Sequence, residues 1–190
     1  MIFTPGTILG SFLVDIERKP DARGYFSRVF CAEEFARQGL PGHLPQASIS
    51  RNIRAGTVRG MHFQWPPSHE AKLVRCERGS VLDVIVDLRP DSVTYLQKMS
   101  VELTMDAANM LYMPAGVAHG FQTLVDDTVV HYQMSDVFAP ALADGLPWHD
   151  PAFGIKWPLP ISVIADRDRD YPAFDRAAHE RRYRAALAAG

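Results

Sequence analysis

From Thr7 to Asp136 the chain is broken at short intervals by Gly, Pro and Asp, and what lies between the breaks is a series of short β-rich runs: "TILGSFLVDI", "GYFSRVF", "QASISRN", "TVRGMHFQ", "KLVRC", "SVLDVIVDL", "KMSVEL", "NMLYMP", "HGFQTLV" and "TVVHYQMSD". Runs of that length and punctuation cannot build a helical bundle; they predict an antiparallel sandwich or barrel. In "VRGMHFQWPPSHEAKLVRC", alternation sets Met61 and Phe63 on one face and His62 and Gln64 on the other, with Lys72 aligned with Val74 and Cys76. A solvated strand face accounts for that pattern, and so does a barrel whose interior is a reaction chamber. "CERGSVLD" predicts a hairpin turning at Gly79. "AEEFARQGL" predicts a short helix closed by Gly39, and "AFDRAAHERRYRAALAAG", after Pro172, a terminal helix.

A chain of 190 residues with 47% hydrophobic residues suffices for one domain with a real core. With neither a repeat nor a low-complexity stretch, we expect a single domain over 1–190, in which 172–190 is a helical extension. A net charge of -2, with basic residues scattered except near the C-terminus, advertises no nucleic-acid or acidic-membrane partner. No apolar run is long enough to span a membrane, and "MIFTPGTILG" lacks the pattern of a signal peptide. A cytoplasmic protein acting on a small molecule is the expectation. Cys31 and Cys76 form no CxxC pair and are read as reduced packing residues.

"MPAGVAHGF" places Pro114, Gly116 and His119 at the spacing of the second motif of the cupin barrels. A metal-binding cupin also needs an HxH pair and an acidic ligand converging on one ion. Here "MHFQWPPSHE" puts Phe63 and Gln64 after His62, so no metal and no other cofactor is expected. Taken in order, "DARGYF", "VRGMHFQWPP", "KLVRCERGSVLDVIVDLR", "YMPAGVAHGF", "HDPAFGIKWP" and "ADRDRDYP" resemble the dTDP-4-dehydrorhamnose 3,5-epimerase family of cupin-fold sugar-nucleotide epimerases, from about Pro5 to Pro172. The fold this implies is all-β: a cupin-type jelly-roll barrel or sandwich with short peripheral helices and the C-terminal helix.

The resemblance also implies a chemistry. The family epimerises carbons beside the C4 ketone of a nucleotide-linked 4-keto-6-deoxy sugar, in deoxysugar biosynthesis, which requires a base, an acid and a group to hold an enolate oxygen. By position, His62 is the base, and an imidazole both takes and returns protons near neutral pH. Asp168 is its orienting partner, Lys72 faces the developing oxyanion, and Tyr132 is the acid on the other face. Arg23 and Arg59 match residues that contact diphosphate or sugar, where a guanidinium suits phosphate oxygens. Gln46 and Ser48 match a polar strand touching nucleotide and sugar, His119 lies beside the sugar, and Phe138 matches an aromatic that stacks on the base. His131, His149 and His179 are read as surface or packing residues.

The chain departs from the family where Arg28 and Ala143 replace acidic residues, which opens the identity of base and sugar. The family's assembly is a dimer, so a homodimer is expected, with Arg23 serving the neighbouring site. Two other readings stay open: a metal-dependent cupin enzyme such as a dioxygenase using His62, His69 and His119, and a non-catalytic sugar-nucleotide-binding barrel.

Overall fold

The computed structural model describes residues 1–189. The chain runs β1 (Ile2–Pro5), β2 (Phe12–Asp15), β3 (Lys19–Asp21), β4 (Gly24–Phe26), α1 (Ala32–Arg37) and β5 (Gln46–Asn52). It continues through β6 (Thr57–Gln64), β7 (Lys72–Arg78), β8 (Ser80–Asp87), β9 (Lys98–Thr104), β10 (Met110–Met113), β11 (Val117–Thr123) and β12 (Thr128–Met134). β13 (Ala143–Gly145), β14 (Val163–Ile164), α2 (Asp166–Arg169) and α3 (Arg176–Ala189) complete it. Gly190, the last residue of the predicted helical extension, lies outside the described residues.

Two six-stranded sheets face each other, one ordered β1-β2-β10-β7-β12-β5 and the other containing β13-β6-β11-β8-β9 with β14 parallel beside β6. β3 and β4 form a separate two-stranded hairpin. The two sheets carry the all-β jelly-roll expectation through. Between them the inward side chains of β7 (Val74, Cys76), β8 (Val81, Ile85), β10 (Leu111, Met113), β11 (Val117, Phe121) and β12 (Val130) form one apolar cluster. Period-2 alternation sends the neighbouring residues outward, where each sheet needs a cover. On the first sheet that cover is α1, whose Phe35 is fully buried among Val14, Leu73, Met110 and Tyr112. Burial of a Phe side chain contributes about 2–3 kcal/mol. On the second sheet it is the C-terminal segment, with Phe153 and Tyr183 packed on Met61, Phe63, Trp65, Val84 and Val86.

The predicted hairpin at Gly79 does not form. Gly79 does turn, at φ 77, but β7 pairs with β10 and β12 whereas β8 pairs with β9 and β11. The turn is an arch from one sheet to the other, held where Met105 and Leu124 donate backbone N–H groups to the carbonyls of Gly79 and Ser80. Residues 72–78 and 80–87 bury their inward faces against each other across the core, which hairpin partners in one sheet do not do. α1 ends as expected: Gly39 takes φ +73 and its N–H donates to the Ala36 carbonyl.

Candidate active site

At one end of the barrel, the apolar filling gives way to a cavity of about 360 Å³. His62, Lys72, His119 and Tyr132 line it, and so do Gln46, Ser48, Arg59 and Phe138. His62 belongs to β6 and Tyr132 to β12, so these two stand on opposite sheets.

His62 is placed by a break in the ladder. Gly60 sits at φ +105 with its α-carbon so near β11 that a β-carbon would lie 2.6 Å from the His119 carbonyl oxygen and 2.7 Å from the Gly120 α-carbon. Only glycine fits that approach. In the β6–β11 ladder the register shifts between His119 and Phe121, three steps along β6 (Arg59 to His62) standing against two along β11, and His119 ends opposite His62. Asp168, at the end of the chain's path past β14, is 4% exposed and reaches β6 from α2. Its Oδ2 accepts the Gly60 N–H at 3.0 Å and its Oδ1 lies 2.7 Å from His62 Nε2. Burial pushes this carboxyl up, but the bonds from His62 and Gly60 outweigh it and hold Asp168 below the usual carboxylate range. An ionised Asp168 fixes the Nε2–H tautomer, which leaves the other ring nitrogen with its lone pair.

A second carboxylate–imidazole pair lies alongside. His119 Nε2 is 2.8 Å from Asp83 Oδ2, and Asp83 is wholly buried. Desolvation raises the Asp83 carboxyl, with His119 and Lys72 pulling the other way. The Tyr132 ring meets His119 edge-on at 6.0 Å. Burial, reinforced by the Asp83 charge, drives the Tyr132 hydroxyl well above its ordinary value, while Arg59 and Ser50 act in the opposite sense. Tyr132 is therefore a protonated phenol throughout the neutral range. Lys72 Nζ is paired with Glu70 Oε2 at 3.0 Å, both side chains largely buried.

The remaining wall is polar. Asn52 Oδ1 accepts Arg59 Nε at 2.7 Å, and Gln46 Oε1 accepts the Phe138 N–H at 2.9 Å, so the strand residue steadies the aromatic at the cavity edge. Arg23 is not brought to this cavity within one chain: it sits at the β3–β4 tip, 90% exposed and paired with Asp21. Of the two departures, Ala143 lines the cavity whereas Arg28 pairs with Glu34 elsewhere. His179 is a buried residue of α3, its Nε2 donating to the Leu88 carbonyl at 2.7 Å.

Sequence reasoning missed Gln64, Glu70, Asp83 and Arg167. Gln64 shares the face of His62, and Asp83 is a carboxylate alternating with Val81 and Ile85, so both carried a periodic signal. Glu70 and Arg167 carried none beyond adjacency to Lys72 and Asp168. The alternative metal set is not assembled: His69 is exposed and does not line the cavity, while His62 and His119 face Asp168 and Asp83. Among the described residues, no group of three or more His, Cys, Asp or Glu is placed to hold an ion.

The chain was compared with known proteins. A family model described as dTDP-4-dehydrorhamnose 3,5-epimerase matches residues 5–176. A dTDP-4-dehydrorhamnose 3,5-epimerase of Sinorhizobium fredii is 43% identical over 154 residues, covering 80% of this chain and 79% of the relative. A crystal structure of the Bacillus anthracis enzyme of that name, with TDP and PPi bound, superposes with TM-score 0.88 at 32% identity, covering 91% of this chain and 99% of the other. A Legionella pneumophila epimerase in complex with dTDP-4-keto-L-rhamnose gives TM-score 0.82 at 29% identity, covering 88% and 89%.

Proposed function

The chain belongs to the dTDP-4-dehydrorhamnose 3,5-epimerase family, and from that premise we propose how its own residues carry the reaction. It is an isomerase acting on a dTDP-linked 4-keto-6-deoxyhexose in deoxysugar biosynthesis, and it inverts carbons beside the C4 ketone. The observation that carries the role assignment is that His62 and Tyr132 line one cavity from opposite sheets. A sugar ring between them has one group on each face.

His62 takes the proton from carbon on its free ring nitrogen, and Asp168 stabilises the resulting imidazolium. The electron pair of the broken C–H bond forms a double bond to C4 and the carbonyl π pair moves onto the C4 oxygen, both shifts reversing when the carbon is protonated again. Lys72 faces that oxygen, its ammonium stabilising a charge that appears only as the bond breaks, and Glu70 holds it in place. The Tyr132 hydroxyl gives its proton to the same carbon from the opposite face, and both groups return to their starting states by exchange with water. Two such cycles, at C3 and at C5, make a 3,5-epimerase. His119 lies against the sugar, Gln46 and Ser48 hold the nucleotide end, Arg59 and Arg167 take the diphosphate, and Phe138 stacks on the base.

We also read residues 1–190 as one domain, working in the cytoplasm as a homodimer. Support for the dimer comes from the exposed apolar side chains of the β3–β4 hairpin and the edge strand β5, Phe26 at 72% and Ile49 at 68%. In that assembly the exposed Arg23 serves the partner's cavity. No described helix is long and apolar enough to cross a membrane.

The test is proton NMR of dTDP-4-keto-6-deoxyglucose with the protein in deuterium oxide. Deuterium enters at C3 and C5 with inversion, and His62→Asn abolishes both. Absence of uptake by the unaltered protein overturns the reading.

A further inference from the structure

α3 lies almost wholly beyond the residues that the family model matches, which end at 176. It is nevertheless fastened to the wall of the cavity. Its own His179 and Tyr183 are buried, and the His179 ring lies 4.9 Å from Trp65. One turn away, Arg182 Nη1 donates to Asp144 Oδ2 at 3.0 Å, with its guanidinium carbon 4.2 Å above the Trp65 ring. Trp65 Nε1 donates to the same Oδ2 at 2.8 Å, and the Gly145 N–H to Oδ1 at 2.8 Å.

Asp144 stands between two spaces. It lines the substrate cavity together with Arg59 and Arg167, and it also lines the groove under α3, which Arg182 lines and the cavity does not include. The strand it sits on pairs with β6, Asp144 opposite Phe63 and Gly145 opposite His62. A carboxylate facing the same cavity as a nucleoside diphosphate opposes binding unless its charge is answered from elsewhere.

We infer that Arg182 is a positioning residue for substrate binding: from outside the cavity it neutralises Asp144 and turns that carboxylate toward Trp65, away from the diphosphate. The inference rests on the functional reading above and adds to it a part for the terminal helix. Because the charge is present before and during the reaction, its effect belongs to binding and not to the proton transfers.

The experiment measures KM and kcat with dTDP-4-keto-6-deoxyglucose, and Kd for dTDP by calorimetry, in a double-mutant cycle at Arg182 and Asp144. Arg182→Ala raises KM and Kd by about two- to fivefold, the range of a partly exposed charge pair acting through one carboxylate, with kcat unchanged. Arg182→Lys retains most of the affinity. In an Asp144→Asn background, Arg182→Ala has no further effect on Kd. Melting temperature is followed for each protein, and Arg182→Gln, which keeps most of the side-chain volume, replaces Arg182→Ala if the latter does not fold. Unchanged KM and Kd in a folded Arg182 variant overturn the inference, as does a loss that persists undiminished in the Asp144→Asn background or one that appears in kcat alone. An unaltered protein that neither binds dTDP nor epimerises overturns the functional reading itself, whereas an active one indifferent to Arg182 overturns only the role of the helix.

Discussion

Replacing Asp168 by Asn, an isosteric change, should cost this protein nearly all its activity, and the reason lies in two hydrogen bonds. Asp168 accepts from both sides, from the Gly60 N–H at 3.0 Å and from His62 Nε2 at 2.7 Å. An asparagine has one acceptor and one donor end, so it satisfies only one of them. Gly60 is backbone in a close-packed strand and cannot turn its N–H away. If the amide oxygen faces His62 instead, two donors meet at Gly60, and a buried donor left unpaired costs about 1–3 kcal/mol. The favoured orientation therefore points the Asn amine at His62 Nε2, which must accept, and the ring proton moves to the nitrogen that should be the base. The imidazolium also loses its anionic partner. A serine protease with the equivalent substitution loses about 10⁴ in kcat, and the same two losses here predict about 10³ to 10⁴, or about 4–5.5 kcal/mol of barrier. Asp168→Ala imposes no tautomer but removes the anionic partner and the acceptor of the Gly60 N–H together, so its loss should also be on the order of 10⁴. Deuterium uptake and inversion should fall together, because both begin with the same proton. The assay is kcat by NMR on dTDP-4-keto-6-deoxyglucose, with ¹⁵N shifts of the His62 ring reporting the tautomer. An Asn protein within about tenfold of the unaltered one, or one whose His62 ring keeps its proton on Nε2, refutes the argument.

Tyr132→Phe should separate exchange from inversion: His62 still removes a proton and returns a deuteron to the same face, so label enters C3 and C5 while configuration is retained, and full inversion by that protein assigns the acid elsewhere. Lys72→Ala should lower kcat by about a hundredfold or more, since its charge acts on an oxyanion formed only in the reaction, whereas Arg59→Ala should chiefly raise KM; the reverse pattern exchanges their roles. Burial holds the His179 imidazole below its ordinary value, more strongly than the Leu88 carbonyl and Glu180 raise it. A folded value below the unfolded one means that protonation favours the unfolded chain, so stability is full above about pH 6.5 and declines as pH falls below it. His179→Gln should show a smaller fall in melting temperature between about pH 7 and pH 5.5 than the unaltered protein, and an equal fall assigns the acid sensitivity to other groups.

The strands read from the sequence at 46–52 and 57–64 have those bounds in the structure, because alternation and β-branched content there agree with burial. β3 and β13 were illegible for the opposite reason. Lys-Pro-Asp and Ala-Asp-Gly have no strand propensity of their own, and they pair because a neighbouring edge offers open backbone groups. At Gly79, turn chemistry marked the reversal but carried nothing about which sheet each arm joins, since those partners lie far along the chain. The candidate site was legible at His62, Lys72, Tyr132 and Asp168 through ordered motifs. Asp83 was not, because its meaning depends on β8 lying beside β11, which brings it to His119 from 36 residues away. Arg182 was invisible for the same reason: a helix of Ala and Arg shows no target until Asp144 is in place.

The strand that holds the base shows how a regular element is made to serve an irregular end. Strict alternation groups Arg59 with Met61 and Phe63, and those two are buried in the apolar cluster beneath the C-terminal segment. Yet Arg59 lines the cavity along with His62, Phe63 and Gln64, whereas Met61 does not. The two facts are reconciled at Gly60, where φ +105 and the extra residue of β6 against β11 change the phase of the strand between Arg59 and Met61. Below the break β6 turns the Arg59 cation into the cavity, and above it the His62 imidazole and the Gln64 amide. The same glycine supplies the N–H that fixes Asp168, so the residue that breaks the strand also holds the carboxylate that orients His62. Had β6 kept its alternation, the chain would have retained a well-packed outer face and lost either the arginine or the histidine from the chamber. The irregularity is where the fold yields to the chemistry, and it is held there by backbone contacts that leave no room for a side chain.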